Sequence, residues 1–280
     1  MKFVALVFLF LTPFVSAAAD EPPAYEMPRT EVLPFRDAKA DRQYELYVKL
    51  PEDYAENTDT HYPVIYTTDA VWHMEMLSGA TEYLMPNVIL VGISWQTDLG
   101  LEEAFASRFR DYTVVEYKDR DDQAQYQGGQ ASKHLVFIKD GVIPYVESKY
   151  RADPAQRTYF GYSLGGAFGA YVLLAAPDTF KNYVLGSPAI GQSTLDYFDD
   201  LEATRATQRG ALNAHAFVSI GELEERRLEV TQNLLSILQR RAAAGLTITG
   251  LEKIEDADHG AAFPETTIRS IKWLQEMQEE

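Results

Sequence analysis

Hydrophobic and polar positions follow two periods along this chain, and the switches between them lay out its elements. At residues 42–50, Tyr44, Leu46, Val48 and Leu50 share one side and Gln43, Glu45, Tyr47 and Lys49 the other. This period of two predicts an antiparallel strand with one wetter face. Residues 63–66 and 87–94 are apolar on both sides, which predicts strands buried between two layers. Further strands are expected at 158–160, 180–185, 214–220 and 246–254. Helical spacing fills 71–84, 131–150, 164–176, 195–207, 224–244 and 264–277, with Leu135, Ile138, Val142, Ile143 and Val146 marking the apolar stripe of the second. Pro144 inside that stripe predicts a kink or a weak turn. Residues 20–34 carry four prolines and read as an extended lead-in. Residues 95–130 are polar and charged and read as one long loop, functional or mobile or a solvated insertion.

Strands alternating with helices predict an α/β fold, a doubly wound and mostly parallel sheet with helices on both faces. Sheets of this kind hold ligands at the carboxyl ends of their strands.

Composition narrows what such a fold does. The 280 residues, 46% hydrophobic and 24% charged, suit one ordinary domain with a large core. Cysteine is absent, which excludes disulfides, a thiolate metal site and a cysteine nucleophile. The five histidines, His61, His73, His134, His215 and His259, are scattered without metal-ligand spacing, so neither a metal nor another cofactor is expected. A net charge of −17 argues against nucleic acid and anionic membranes as partners. Residues 1–19 read as a signal peptide: Lys2, an apolar stretch at 3–15 too short for a comfortable span, then Ser16, Ala17, Ala18 and Ala19. We therefore expect a single domain over 20–280, exported to the periplasm or beyond, without stable membrane insertion once the leader is removed.

The chemistry gathers where Gly161-Tyr162-Ser163-Leu164-Gly165 joins a strand to a helix. Gly-x-Ser-x-Gly in that context predicts a sharp turn with the Ser163 hydroxyl at its tip and the helix N-terminus behind it. A serine nucleophile needs a base and a carboxylate to orient the base, in the chain order serine, acid, histidine on this fold. Glu222, Glu224 and Glu225 follow one later strand end and His259 another. Glu224 is the first choice for the acid and Glu222 the second. Asp256 and Asp258 compete by proximity, but so close to His259 they have little room to curl onto its ring. The oxyanion donors expected are the backbone N–H groups of Leu164 and of Ala70 or its neighbour Val71. Trp72, Trp95, Arg110 and Tyr112, with the loop at 119–130, are the expected pocket.

These segments together resemble the putative-esterase family of α/β-hydrolases, which takes in esterase D, antigen 85, feruloyl esterases and enterobactin-type siderophore esterases. The resemblance is carried by Tyr62-Pro63-Val64-Ile65-Tyr66, by Arg108-Phe109-Arg110-Asp111-Tyr112-Thr113, by the serine turn, by Leu185-Gly186-Ser187-Pro188, by Gly221-Glu222-Leu223-Glu224 and by Asp258-His259-Gly260. It implies Ser163, Glu224 and His259 as a triad acting on a small-molecule ester, with the siderophore-esterase branch the nearest in flavour. The chain departs from the family in reading Thr68-Asp69-Ala70 where Leu-Asp-Gly is common, and in having only Arg108, Arg110 and Arg120 as arginines across 95–130. The expectation is an exported serine esterase for a siderophore-type, aromatic or sugar ester. An acyltransferase on the same fold, or a catalytically silent binding protein, are the alternatives.

Overall fold

The computed structural model describes residues 24–205 and 212–279. The leader expected at 1–19 and the end of the helix expected at 195–207 lie outside them. Among the described residues, the strands are β1 (Thr30–Asp37), β2 (Arg42–Lys49), β3 (Tyr62–Thr67), β4 (Ile89–Ile93), β5 (Ala152–Tyr162), β6 (Asn182–Gly186), β7 (Ala214–Gly221) and β8 (Leu246–Ile254). They form one sheet in the order β1-β2-β4-β3-β5-β6-β7-β8. Pairing is antiparallel between β1 and β2 and between β2 and β4, and parallel from β4 onward. This is the mostly parallel α/β sheet expected.

The helices are α1 (Ala70–Leu84), α2 (Leu101–Tyr112), α3 (Arg120–Tyr126), α4 (Ala131–Phe137), α5 (Ile143–Lys149), α6 (Leu164–Ala175), α7 (Gln192–Arg205), α8 (Glu225–Gln239) and α9 (Ala262–Glu279). Strand alternation divides the core between the two faces. Val64, Tyr66, Ile89, Val91, Tyr159 and Leu185 pack beneath α4 to α8. Ile65, Leu90, Phe160 and Val184 pack beneath α1 and α9.

Three expectations need correction. The lead-in at 20–34 is not simply extended chain, since from Thr30 it runs as the edge strand β1, paired with β2 through Asp37↔Arg42. Pro34 belongs there because an edge strand has a side where no N–H is required. The kink at Pro144 is a widening. A π turn at Ile138–Val142 leads from α4 straight into α5, and Pro144 falls in the first turn of α5. The wide turn relieves the clash between a proline ring and the preceding helical carbonyls.

The third correction concerns 95–130, which carries α2 and α3 rather than one loop. The buried side of α2 is Ser107, Arg108, Arg110, Asp111 and Tyr112, so its helical period is written in polar side chains. These are satisfied by pairing. Asp111 accepts from Arg110 at 2.8 and 2.9 Å, from the Tyr44 hydroxyl at 2.8 Å and from Arg42 at 3.3 Å. Burial pushes the Asp111 carboxyl up, but the surrounding positive and hydrogen-bonding groups outweigh it and hold it below its ordinary value. α3 starts at a side-chain cap, with Asp119 accepting from the N–H groups of Asp121 and Asp122.

The layer over α1 generates a test. His73 is buried between Phe160 and Phe263 and bonded to Thr67 at 2.9 Å. Burial pushes it from 6.5 down to about 4. A lowered folded-state value means that its contribution is complete above pH 6.5 and is lost as pH falls toward 4. Urea unfolding at stepped pH is expected to show stability falling across this window, and His73→Gln to remove up to about 1.4 kcal/mol per pH unit from the slope. An unchanged slope in the variant would contradict the buried neutral imidazole.

Candidate active site

β5 becomes α6 in a single residue. Ser163 sits at φ 56°, ψ −118°, a conformation an L-residue adopts only when its surroundings impose it. The surroundings are on hand. Ser163 donates its N–H to the Gly186 carbonyl at 2.9 Å, and its own carbonyl accepts from Ala189 at 2.9 Å and Ala167 at 3.0 Å. Two flanking glycines permit the crossing. A Cβ on Gly161 would run into the Gly165 carbonyl, and one on Gly165 would lie 2.7 Å from the Thr68 hydroxyl.

His259 follows β8 in a turn closed by Asp258, whose carboxylate accepts from the N–H groups of Gly260 and Ala261 at 3.0 and 2.9 Å. Tyr162 lies against the imidazole and donates its hydroxyl to the His259 carbonyl at 2.6 Å. Nε2 of His259 is 3.0 Å from Ser163 Oγ, and Nδ1 is 2.7 Å from Glu224 Oε2. The carboxylate accepts only, so Nδ1 carries the proton and Nε2 is left to accept from the serine hydroxyl. The other carboxylate oxygen accepts from Ser187 Oγ at 2.7 Å and from the Gly221 N–H at 3.1 Å. Burial raises the Glu224 carboxyl, and the bonds from His259, Ser187 and Gly221 more than offset this, leaving it below its ordinary value.

The remaining acids are engaged elsewhere. Glu222 accepts from the Asp256 N–H at 3.1 Å, Asp258 caps the histidine turn, and Glu225 opens α8. Ser187, itself at φ 37°, and Arg227, whose Nη1 lies 2.8 Å from His259 Nδ1, join the cluster without having been anticipated. The Gly-Ser-Pro run at 186–188 was the available signal for Ser187. Arg227 has none, since an arginine three residues into a helix reads as an ordinary surface charge.

On the other side of Ser163, α1 and α6 begin next to each other. Ala70 and Leu164 are their first residues, and N–H groups in a first helical turn have no acceptor within the helix. A hydrogen-bonded chain ties the two starts together: Thr68 Oγ1 to Tyr159 OH at 3.0 Å, then Tyr159 OH to the Gly165 carbonyl at 2.8 Å. Asp69 precedes α1 in left-handed conformation, φ 56°, and is fully buried. Its carboxylate is clamped by Arg108, through Nε at 2.9 Å and Nη2 at 2.8 Å, and by Trp95 Nε1 at 2.6 Å. The guanidinium lies 4.6 Å from the Trp72 ring, which meets Trp95 edge-on at 4.7 Å and is about half exposed.

Trp72 and Trp95 therefore gather with Arg108 at the start of α1. Arg110 and Tyr112, also expected in the pocket, are buried side chains of α2. Two residues beyond Arg108, a helix has turned by roughly 200°, so Arg110 points to Asp111 and Tyr44 instead. Tyr112 is buried against His134 and Phe168. Among the described residues no three His, Asp or Glu side chains are grouped to hold a metal ion, and no helix is long and apolar enough to cross a membrane.

Comparison with known proteins agrees with this architecture. Residues 38–243 match the family model described as "Putative esterase". The ferri-bacillibactin esterase BesA of Bacillus subtilis (strain 168) is 29% identical over 241 residues, 78% of this chain and 79% of that protein. Among solved structures, the BES protein from Bacillus cereus aligns with a TM-score of 0.77 at 21% identity, covering 91% of this chain and 98% of that one. An IroE-like serine hydrolase from Shewanella oneidensis aligns with a TM-score of 0.75 at 20% identity, covering 88% and 80%. The sheet order, the serine turn and the extent of the family match lead to one assignment: the chain belongs to the putative-esterase family and is a carboxylic ester hydrolase of α/β-hydrolase fold.

Proposed function

We propose that this protein is an exported serine esterase acting through Ser163, His259 and Glu224, with one catalytic domain following the leader at 1–19. The observation that carries the reading is the unbroken chain from Ser163 Oγ to His259 to Glu224 at 3.0 and 2.7 Å. His259 Nε2 takes the hydroxyl proton as Ser163 attacks the ester carbonyl. Glu224 holds the ring and stabilises the imidazolium. The N–H groups of Leu164 and Ala70 receive the oxyanion. His259 then protonates the departing alcohol, and in the second half it activates the water that frees Ser163 from its acyl group. The Asp69–Arg108 clamp is a positioning device in this scheme, because it fixes the backbone that leads into the Ala70 N–H.

The substrate supported best is a siderophore-type ester bearing aromatic groups. Two features favour it: the similarity to a ferri-bacillibactin esterase, and the aromatic wall of Trp72, Trp95 and Phe105, whose rings are 4.7 to 6.1 Å apart.

A fluorophosphonate probe is expected to label the wild type and not Ser163→Ala; an unlabelled but folded wild type defeats the proposal. Glu224→Gln is expected to lower kcat by about 10³- to 10⁴-fold with little change in KM, while Glu222→Gln stays near wild type. For Asp69→Asn, kcat is expected to fall by up to about 10²-fold, with fluorophosphonate labelling slowed in parallel and KM little changed. A loss confined to KM would show that Asp69 serves substrate binding instead.

A further inference from the structure

Arg227 lies across the imidazole of His259. Its Nη1 is 2.8 Å from Nδ1 and 3.2 Å from Nε2. Both ring nitrogens already have partners, Glu224 on one side and Ser163 on the other, so the guanidinium is not a donor that either nitrogen requires. Among the described residues its ion-pair partner is Glu224, reached only by Nη1 and only at 3.4 Å. That carboxylate is already committed to Ser187, Gly221 and His259. The contrast with Arg108 is direct: Arg108 is buried and closed on Asp69 by two bonds, whereas the Arg227 side chain keeps 38% of its surface in solvent. The site thus holds one neutralised arginine beside the aromatic wall and one accessible arginine beside the histidine.

We infer that Arg227 binds an anion carried on the alcohol half of the substrate and so selects esters of hydroxy acids with a free carboxylate. The inference builds on the serine-esterase reading. In that reaction the bond between acyl carbon and alcohol oxygen breaks, the acyl group stays on Ser163, and the alcohol oxygen takes the proton from His259 Nε2. To receive it, that oxygen must come within about 3 Å of Nε2. Arg227 Nη1 is 3.2 Å from the same nitrogen. A carboxylate two or three bonds from the leaving oxygen then falls within reach of the guanidinium fork, whose planar geometry matches it. The substrate's anion also answers an electrostatic problem internal to the site. When His259 becomes imidazolium it faces a second cation at about 3 Å, and a carboxylate brought to Arg227 stands against both. A carboxylate on the acyl half lies on the other side of the scissile bond and gains nothing from Arg227.

The test compares two esters of one benzoyl group, O-benzoyl-3-hydroxypropanoate and its primary carboxamide, which differ in charge and little in shape. The wild type is expected to favour the acid over the amide by about tenfold or more in kcat/KM. The ratio is expected to collapse to near one in Arg227→Gln and to survive in part in Arg227→Lys. Because the ratio is internal to each enzyme, a general loss of activity in a variant cancels. Fluorophosphonate labelling of the same samples separates the two readings. A labelled wild type with no preference for the acid, with a preference that Arg227→Gln leaves intact, or with no turnover of either ester overturns this inference alone. An unlabelled, inactive wild type overturns the serine-esterase reading and this inference with it.

Discussion

The site depends on a backbone that passes from strand to helix in one residue. Ser163 holds positive φ at a cost of order 1–3 kcal/mol, and the cost is met by packing that leaves no alternative path. Gly161 and Gly165 cross in space that excludes a Cβ, and β6 accepts the serine N–H through Gly186. Once the crossing is fixed, the hydroxyl projects from the carboxyl edge of the sheet and the start of α6 stands behind it. The elements bearing Glu224 and His259 leave that same edge from β7 and β8, two strands bonded in parallel to each other. The geometry among the three side chains is therefore a property of adjacent strand ends, with short turns supplying only the last few ångströms.

Charge is handled locally in a chain whose overall balance is strongly acidic. Asp111 gathers Arg110 and Arg42 in the interior, Asp69 neutralises Arg108, and Glu224 stays ionised because three donors converge on it. Each of these three carboxylates is matched by hydrogen bonds as well as by charge, the condition under which burying it is tolerable. The net −17 thus says little about the surroundings of the serine, whose hydroxyl meets His259, with Glu224 and Arg227 both against that imidazole.

Much of the fold was legible in the sequence because apolar alternation and helical spacing report burial directly. β3, β4, β7 and the helices around them follow that rule. The failures have physical causes. α2 hides its period because the side it buries is made of Arg108, Asp111 and Tyr112, which a hydrophobicity pattern reads as solvent-facing. β1 hides as a proline-bearing lead-in because an edge strand tolerates Pro34. The meeting of Ser163, Glu224 and His259 was legible as an order of strand ends. The pocket was less so: Trp72 and Trp95 meet at the Asp69–Arg108 pair, whereas Arg110 is spent on Asp111, and only the phase of α2 decides which arginine goes where. Arg227 could not have been read at all, since its proximity to His259 depends on where β8 ends.

Ala70 and Leu164 hang from the ends of β3 and β5, which are bonded neighbours from Val64↔Arg157 to Thr67↔Phe160. Parallel neighbours sit about 4.8 Å apart because that is the span of a peptide hydrogen bond. If those two N–H groups receive one oxyanion, as proposed, their gauge comes from the pleat itself, with Thr68 and Tyr159 tying the two helix starts together. The segment at 95–130 touches that gauge at two points, since Trp95 Nε1 and the Arg108 guanidinium both hold the Asp69 carboxylate that precedes α1. Change elsewhere in α2 and α3 leaves those two anchors in place, so new specificities are open to drift there as long as Trp95 and Arg108 stay fixed.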